Sequence, residues 1–126
     1  MKKILIIEDD EFVRDLYKRY LEKAGYKVAI AADGETGLAM AKKEKYDLIL
    51  LDIMLPKKTG LDVLKELRES PDIGRNNPVF LLTNLGQEAI IAEAFKIGCQ
   101  AFLLKAKLLP QDVVREVEKF LNKSQT

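Results

Sequence analysis

Four short apolar runs punctuate the chain, and each stops at a residue able to do chemistry. Ile4-Leu5-Ile6-Ile7 runs into Glu8-Asp9-Asp10, Leu48-Ile49-Leu50-Leu51 into Asp52, Phe80-Leu81-Leu82 into Thr83, and Phe102-Leu103-Leu104 into Lys105. Apolar runs of about 4 to 8 residues without polar alternation predict strands covered on both faces, the kind found in parallel sheets. Val28 to Ala32 adds another strand. Between the strands the period lengthens to that of a helix. Phe12, Leu16, Tyr20 and Leu21 recur near i, i+4, i+8 and i+9 in a helix from Glu11 to Ala24, with Gly25 placed to end it. Asp33-Gly34 opens a helix to about Glu44. Leu61, Val63, Leu64 and Leu67 mark one from about Thr59 to Glu69, followed by an irregular stretch from Ser70-Pro71 to Pro78. Gln87 to Ile97 and Pro110 to Asn122 complete the set, the last with Val113, Val114, Val117, Phe120 and Leu121 facing inward.

Strand and helix thus alternate five times, which predicts an α/β fold: a (βα)5 doubly wound parallel sheet, flavodoxin-like, with strand order 2-1-3-4-5. The domain is expected over residues 1–123, with a polar tail at 124–126. All C-terminal strand ends of a parallel sheet lie on one edge, where open α/β sheets place their sites. The carboxylates, the hydroxyl and the ammonium should therefore converge, with Asp52 flanked by Glu8 and Asp9 on one side and Thr83 on the other.

Composition narrows the chemistry. The 126 residues suffice for one core, and 21 Lys+Arg against 20 Asp+Glu leave no overall field toward nucleic acid or membrane. No apolar run approaches the ~18 residues that span a bilayer, and Glu8-Asp9-Asp10 cuts short the only run resembling a leader. A cytoplasmic location is the expectation. The single cysteine, Cys99, excludes an internal disulfide and reads as a small core residue. Histidine is absent, which removes the usual general base and the commonest zinc ligand.

A nucleotide-binding sheet of this class carries glycines in its first strand-to-helix turn. Here that turn carries three carboxylates, which repel phosphate unless a cation intervenes. Hard oxygen ligands without His or Cys suit Mg2+ (or Mn2+). Asp52 could then act as a nucleophile toward a phosphoryl group, with Lys105 and Thr83 stabilising charge on the phosphoryl oxygens. Asp10 and Asp33 also suit helix caps. Lys57-Lys58 suit a solvated loop, or the steering of an anionic donor.

Taken together, Ile7-Glu8-Asp9-Asp10, Asp52-Ile53-Met54-Leu55-Pro56 with Gly60, Leu82-Thr83, and Gly98 through Lys105 resemble the receiver domain of two-component response regulators. The resemblance implies a phosphoacceptor at Asp52 and a metal site of Glu8, Asp9, Asp52 and the Met54 carbonyl, with Asp9 a direct ligand and Glu8 acting through water. It implies catalytic contacts from Thr83 and Lys105, and a switch formed by Thr83 and Phe102. Its partners would be a histidine kinase or histidine phosphotransfer protein, and a downstream protein. Ala106 stands where the family usually has proline, and Asn84 where it usually has a very small residue. Two other functions compete: a pseudo-receiver that binds partners without phosphate turnover, and an aspartyl-phosphate phosphatase. The second needs an acid where Met54 stands.

The expected function is that of a stand-alone receiver without its own DNA-binding module, whose only reactions are self-phosphorylation and autodephosphorylation. Between Ala89 and Ile97, seven of nine residues are apolar, more than one buried stripe needs. Ile90, Ile91 and Ile97 are therefore expected on an output surface, shared by helix 4, strand 5 and helix 5, for a protein target or a homodimer.

Overall fold

The computed structural model describes residues 1–84 and 87–123; the expected tail at 124–126 lies outside them. Five strands, β1 (Lys3–Ile7), β2 (Lys27–Ala31), β3 (Leu48–Leu51), β4 (Val79–Thr83) and β5 (Ala101–Leu104), form one sheet in the order β2-β1-β3-β4-β5. All pairings are parallel. The connecting helices are α1 (Glu11–Lys23), α2 (Gly34–Lys43), α3 (Gly60–Glu69), α4 (Glu88–Ile97) and α5 (Pro110–Lys123). The stretch after α3 contains a short 3-10 turn at Ile73–Asn76, and a second follows β5 at Lys105–Lys107.

Alternate residues of each strand feed opposite layers, because side chains of a strand point to opposite faces. Leu5, Ile7, Ile49, Leu51 and Leu81 pack with Leu38, Val63, Leu64, Leu67 and Ala94 beneath α2, α3 and α4. Ile4, Ile6, Leu48, Leu50 and Leu82 pack with Tyr17, Leu21, Val113, Val117 and Leu121 beneath α1 and α5. This two-sided burial makes β1, β3 and β4 continuous apolar runs. Strand β5 is only half-buried throughout, since it is an edge strand with one neighbour.

Helix α1 presents a different face from the one its leucine and aromatic spacing suggests. Phe12 is 72% exposed and Tyr20 also faces solvent, whereas Tyr17 and Leu21 are buried and Val13 packs beside them. The two stripes are one residue apart, a rotation of about 100°, and both are apolar. Tyr17 settles the choice by filling the layer over Ile6 and Leu50. The caps follow the expected chemistry: Asp10 accepts from Val13 N–H at 3.1 Å, Asp33 from Thr36 N–H at 2.8 Å, and Thr59 from Asp62 N–H at 3.2 Å.

Polar side chains close the sheet's N-terminal edge. Buried Asn77 accepts from Tyr46 N–H at 3.0 Å and donates to the carbonyls of Ala41 (3.1 Å) and Glu44 (2.8 Å). Arg68, at the end of α3, donates to the carbonyls of Gly98, Arg75 and Asn77 at 2.8–3.1 Å. Gln100 accepts from Val79 N–H at 2.7 Å. Every partner but one in this knot is a main-chain group, the exception being the Gln100 amide oxygen, 3.4 Å from Arg68. Burial holds the Arg68 guanidinium below its ordinary pKa and the Cys99 thiol above its own.

Candidate functional site

Register brings the carboxylates together. Ile7 pairs with Leu51, so the residues that follow, Glu8 and Asp52, leave the sheet side by side. The Glu8 N–H donates to Ala31 O (3.0 Å) and the Asp52 N–H to Ile7 O (3.1 Å), which continues the ladder one residue past the strands. The main chain thus fixes both side chains. Gly60, the first residue of α3, closes the loop behind Asp52: its N–H donates to Ile53 O at 2.8 Å, and a Cβ there would lie 2.2 Å from the Asp52 carbonyl oxygen. This is why glycine follows the Asp52 motif.

Lys105 reaches across from the end of β5. Its ammonium donates to a Glu8 carboxylate oxygen and, at 3.0 Å, to Asp52 Oδ2. Asp52 Oδ1 accepts from Met54 N–H at 3.3 Å, and Glu8 also accepts from Asp10 N–H at 3.1 Å. Glu8 and Asp52 are 4% and 7% exposed, so both carboxylates depend on these partners. Burial, assisted by the Asp52 charge, raises the Glu8 pKa although Lys105 and the Asp10 N–H pull the other way. Burial acts to lower the Lys105 pKa, but Glu8 and Asp52 outweigh it and the ammonium is held above its ordinary value. All described peptide bonds are trans, and Ala106 does not prevent Lys105 from meeting both carboxylates.

Glu8, buried Asp52 and exposed Asp9 each offer an oxygen, and these lie within 4.8 Å of one another. Two oxygens on one Mg2+ at about 2.1 Å stand at most about 4.2 Å apart, so small rotations suffice to gather them on one ion. Three carboxylates against one ammonium leave excess negative charge. The donor set, all oxygen, fits a hard divalent cation.

The other expected residues are placed as follows. Thr83 ends β4, is 1% exposed and pairs in register with Leu104. Asn84 beside it is exposed. Phe102 pairs with Leu81 and packs partly against the layer under α2, α3 and α4. Met54 is 62% exposed at the rim. Asp10 caps α1 and stands outside the carboxylate cluster. On α4, Ile90 and Ile97 give part of their surface to the core and Ile91 is half-buried. The large apolar side chain that this helix exposes is Phe95, at 49%. Lys57 lies 4.0 Å from Asp33, and Lys58 pairs with Glu66. Sequence reasoning missed Arg14, whose Nη1 donates to Glu8 O (3.0 Å) and Asp9 O (3.4 Å) and so supports the acidic turn. An arginine one helical turn after three acids is the signal that could have found it.

The family described as response regulator receiver domain matches residues 4–118. Among curated proteins, the transcriptional regulatory protein ResD of Bacillus subtilis (strain 168) is 34% identical over 122 residues, covering 97% of this chain and 49% of ResD. The transcriptional regulatory protein CpxR of Klebsiella pneumoniae is 40% identical over 105 residues, 83% of this chain and 43% of CpxR. The chain spans about half the length of the curated relatives it matches. Among solved structures, a CheY-like response regulator receiver domain protein from Methanospirillum hungatei JF-1 superposes with a TM-score of 0.89 at 28% identity, covering 99% of this chain and 97% of that one. A two-component response regulator from Clostridium difficile gives 0.89 at 26% identity over the whole of both chains. Among the described residues no helix is long and apolar enough to cross a membrane.

Proposed function

The chain belongs to the response regulator receiver domain family, and we propose that it accepts a phosphoryl group on Asp52 from a partner histidine kinase or histidine phosphotransfer protein. The observation that carries this reading is the buried Asp52 carboxylate, held 3.0 Å from the Lys105 ammonium and grouped with oxygens of Glu8 and Asp9. One Asp52 oxygen forms the new O–P bond as the donor's P–N or P–O bond breaks, and the leaving nitrogen or oxygen departs with that bond's electron pair.

Asp9 would hold Mg2+ directly, Glu8 through water, and Asp52 with the Met54 carbonyl would complete the protein's share. When bound, Mg2+ neutralises charge on the donor and orients it. The Lys105 ammonium, already on Asp52, pairs with a phosphoryl oxygen once the acyl phosphate forms. The Thr83 hydroxyl turns toward another, and the Phe102 ring takes the space it leaves, a shift between existing conformations. The signal then leaves through the face of α4, β5 and α5, toward a protein target or a second copy. Ile91 and Phe95 lead that face, with the outer surfaces of Ile90 and Ile97 beside them. A cytoplasmic location accords with this role.

Intact-protein mass spectrometry after incubation with acetyl phosphate or phosphoramidate tests the reading. One phosphoryl group should be gained with Mg2+ or Mn2+, none with excess chelator, and none by Asp52→Asn. Labelling of that variant would overturn the assignment. No labelling of the wild-type chain under any donor would leave the phosphate-independent pseudo-receiver as the better account.

A further inference from the structure

Five residues after Asp52, Lys57 has φ +70°, the only positive φ of a non-glycine residue among those described. The left-handed region brings an L residue's Cβ against the following carbonyl, and a tight turn closed by Lys58 N–H on Pro56 O at 2.8 Å puts Lys57 there. The turn between β2 and α2 packs against it. Gly34, the buried first residue of α2, donates its N–H to Pro56 O at 3.3 Å, and a Cβ on it would lie 2.1 Å from Lys58 O and 2.8 Å from Lys58 Cβ. The Lys58 carbonyl rests where only glycine leaves room, while the Pro56 carbonyl accepts the N–H of the same glycine. Gly34 has no positive φ, so the requirement for glycine comes from this approach alone. The same loop is closed at its base by Gly60 against Asp52, and it carries Met54, whose N–H reaches Asp52 Oδ1.

We propose that Gly34 and Lys57 are positioning residues: the turn before α2 braces the Ile53–Thr59 loop in a left-handed conformation that presents Met54 and Asp52 for the metal. This deepens the proposed function and rests on it. A chain whose loop visits the braced conformation only part of the time binds the ion with an affinity reduced by that fraction. Metal affinity should therefore follow how well residue 57 tolerates positive φ, and whether Gly34 leaves room.

The test compares Lys57→Gly, Lys57→Asn and Lys57→Val, which lose the same charge, together with Gly34→Ala. Mg2+ and Mn2+ affinity is read by calorimetry, folding by thermal melting, and the amide resonances of Met54 and Asp52 by NMR. Gly and Asn at position 57 should bind as tightly as wild type or tighter. Val should bind about tenfold more weakly than Gly, the fold-change matching the left-handed penalty that an L residue carries and glycine escapes. Gly34→Ala should weaken binding and shift the Met54 amide, with the phosphorylation rate restored at saturating Mg2+. Equal affinities across the three Lys57 variants would overturn the brace even if Gly34→Ala fails to fold. A wild-type chain that binds no divalent ion would instead overturn the metal site and the brace with it, whereas wild-type binding unchanged in every variant rejects the brace alone.

Discussion

The two edges of one sheet satisfy their polar side chains in opposite ways. At the N-terminal edge Asn77, Arg68 and Gln100 meet carbonyls and N–H groups of the main chain, and each bond closes a helix end or a strand start. At the C-terminal edge Glu8, Asp52 and Lys105 chiefly meet one another, and two carboxylates share one ammonium. Main-chain partners cannot leave, so the bonds at the first edge serve to hold the fold. Charges that neutralise one another incompletely leave a net negative cluster that favours a cation, through which the proposed phosphoryl donor would be held. Both edges are polar; what separates structure from chemistry is whether the partners are exhausted.

The largest effect expected from this division is at Asp52. Asp52→Asn should abolish phosphorylation while changing unfolding free energy by no more than about 1 kcal/mol, since Lys105 retains Glu8 and the substitution is nearly isosteric. Urea denaturation beside the labelling assay reads both, and a large stability loss would erase the contrast. Asn77→Ala should do the reverse. It strands the Tyr46 N–H and two carbonyls, and at 1–3 kcal/mol per buried group left unsatisfied the loss should reach about 3 kcal/mol, with phosphorylation per folded molecule unchanged. Within the chemical edge, Asp10→Ala should cost about 1 kcal/mol of stability as a lost cap and leave Mg2+ affinity nearly intact, whereas Asp9→Ala should weaken Mg2+ binding. Equal losses in a metal titration would merge the two acids' roles.

The smallest effect is electrostatic. Glu8 is raised above its ordinary value of 4.5, so the folded chain holds that proton more tightly than the unfolded one. Its contribution to stability is complete below about 4.5 and is lost as pH rises through the raised folded value. Glu8→Gln should flatten that part of the stability profile. Parallel urea midpoints for wild type and variant between pH 4 and 7 would show that Glu8 has no such role.

The chemical edge was legible in the sequence because its residues end apolar runs, and an apolar run in a parallel sheet announces both its burial and the edge where it stops. The structural edge was not. Asn77 sits in a polar connecting stretch, Gln100 is a lone polar residue between Cys99 and Ala101, and Arg68 lies in the last turn of an ordinary amphipathic helix, so nothing local separates them from solvated residues until distant main-chain groups converge on them. The face of α1 was ambiguous for another reason: Phe12-Leu16-Tyr20 and Val13-Tyr17-Leu21 are neighbouring apolar stripes, and period alone does not choose between them. The isoleucines on α4 show how periodicity leaves a helix face undivided: Ile90 and Ile97 give part of their surface to the core, and Phe95 is the large apolar group the helix exposes.

The ion pair between Lys105 and Glu8 joins residues 97 positions apart, and it has a consequence for the newly made chain. At about 5–20 residues per second, a ribosome takes roughly 5–20 s to add Lys105 after Glu8. During that interval the nascent chain can carry the acidic pair and even Asp52, but not the cation that balances them. The site on which the proposed phosphate chemistry depends is thereby incomplete until almost all of the sheet has been synthesised, and a fragment ending before residue 105 would lack the ammonium that balances its carboxylates.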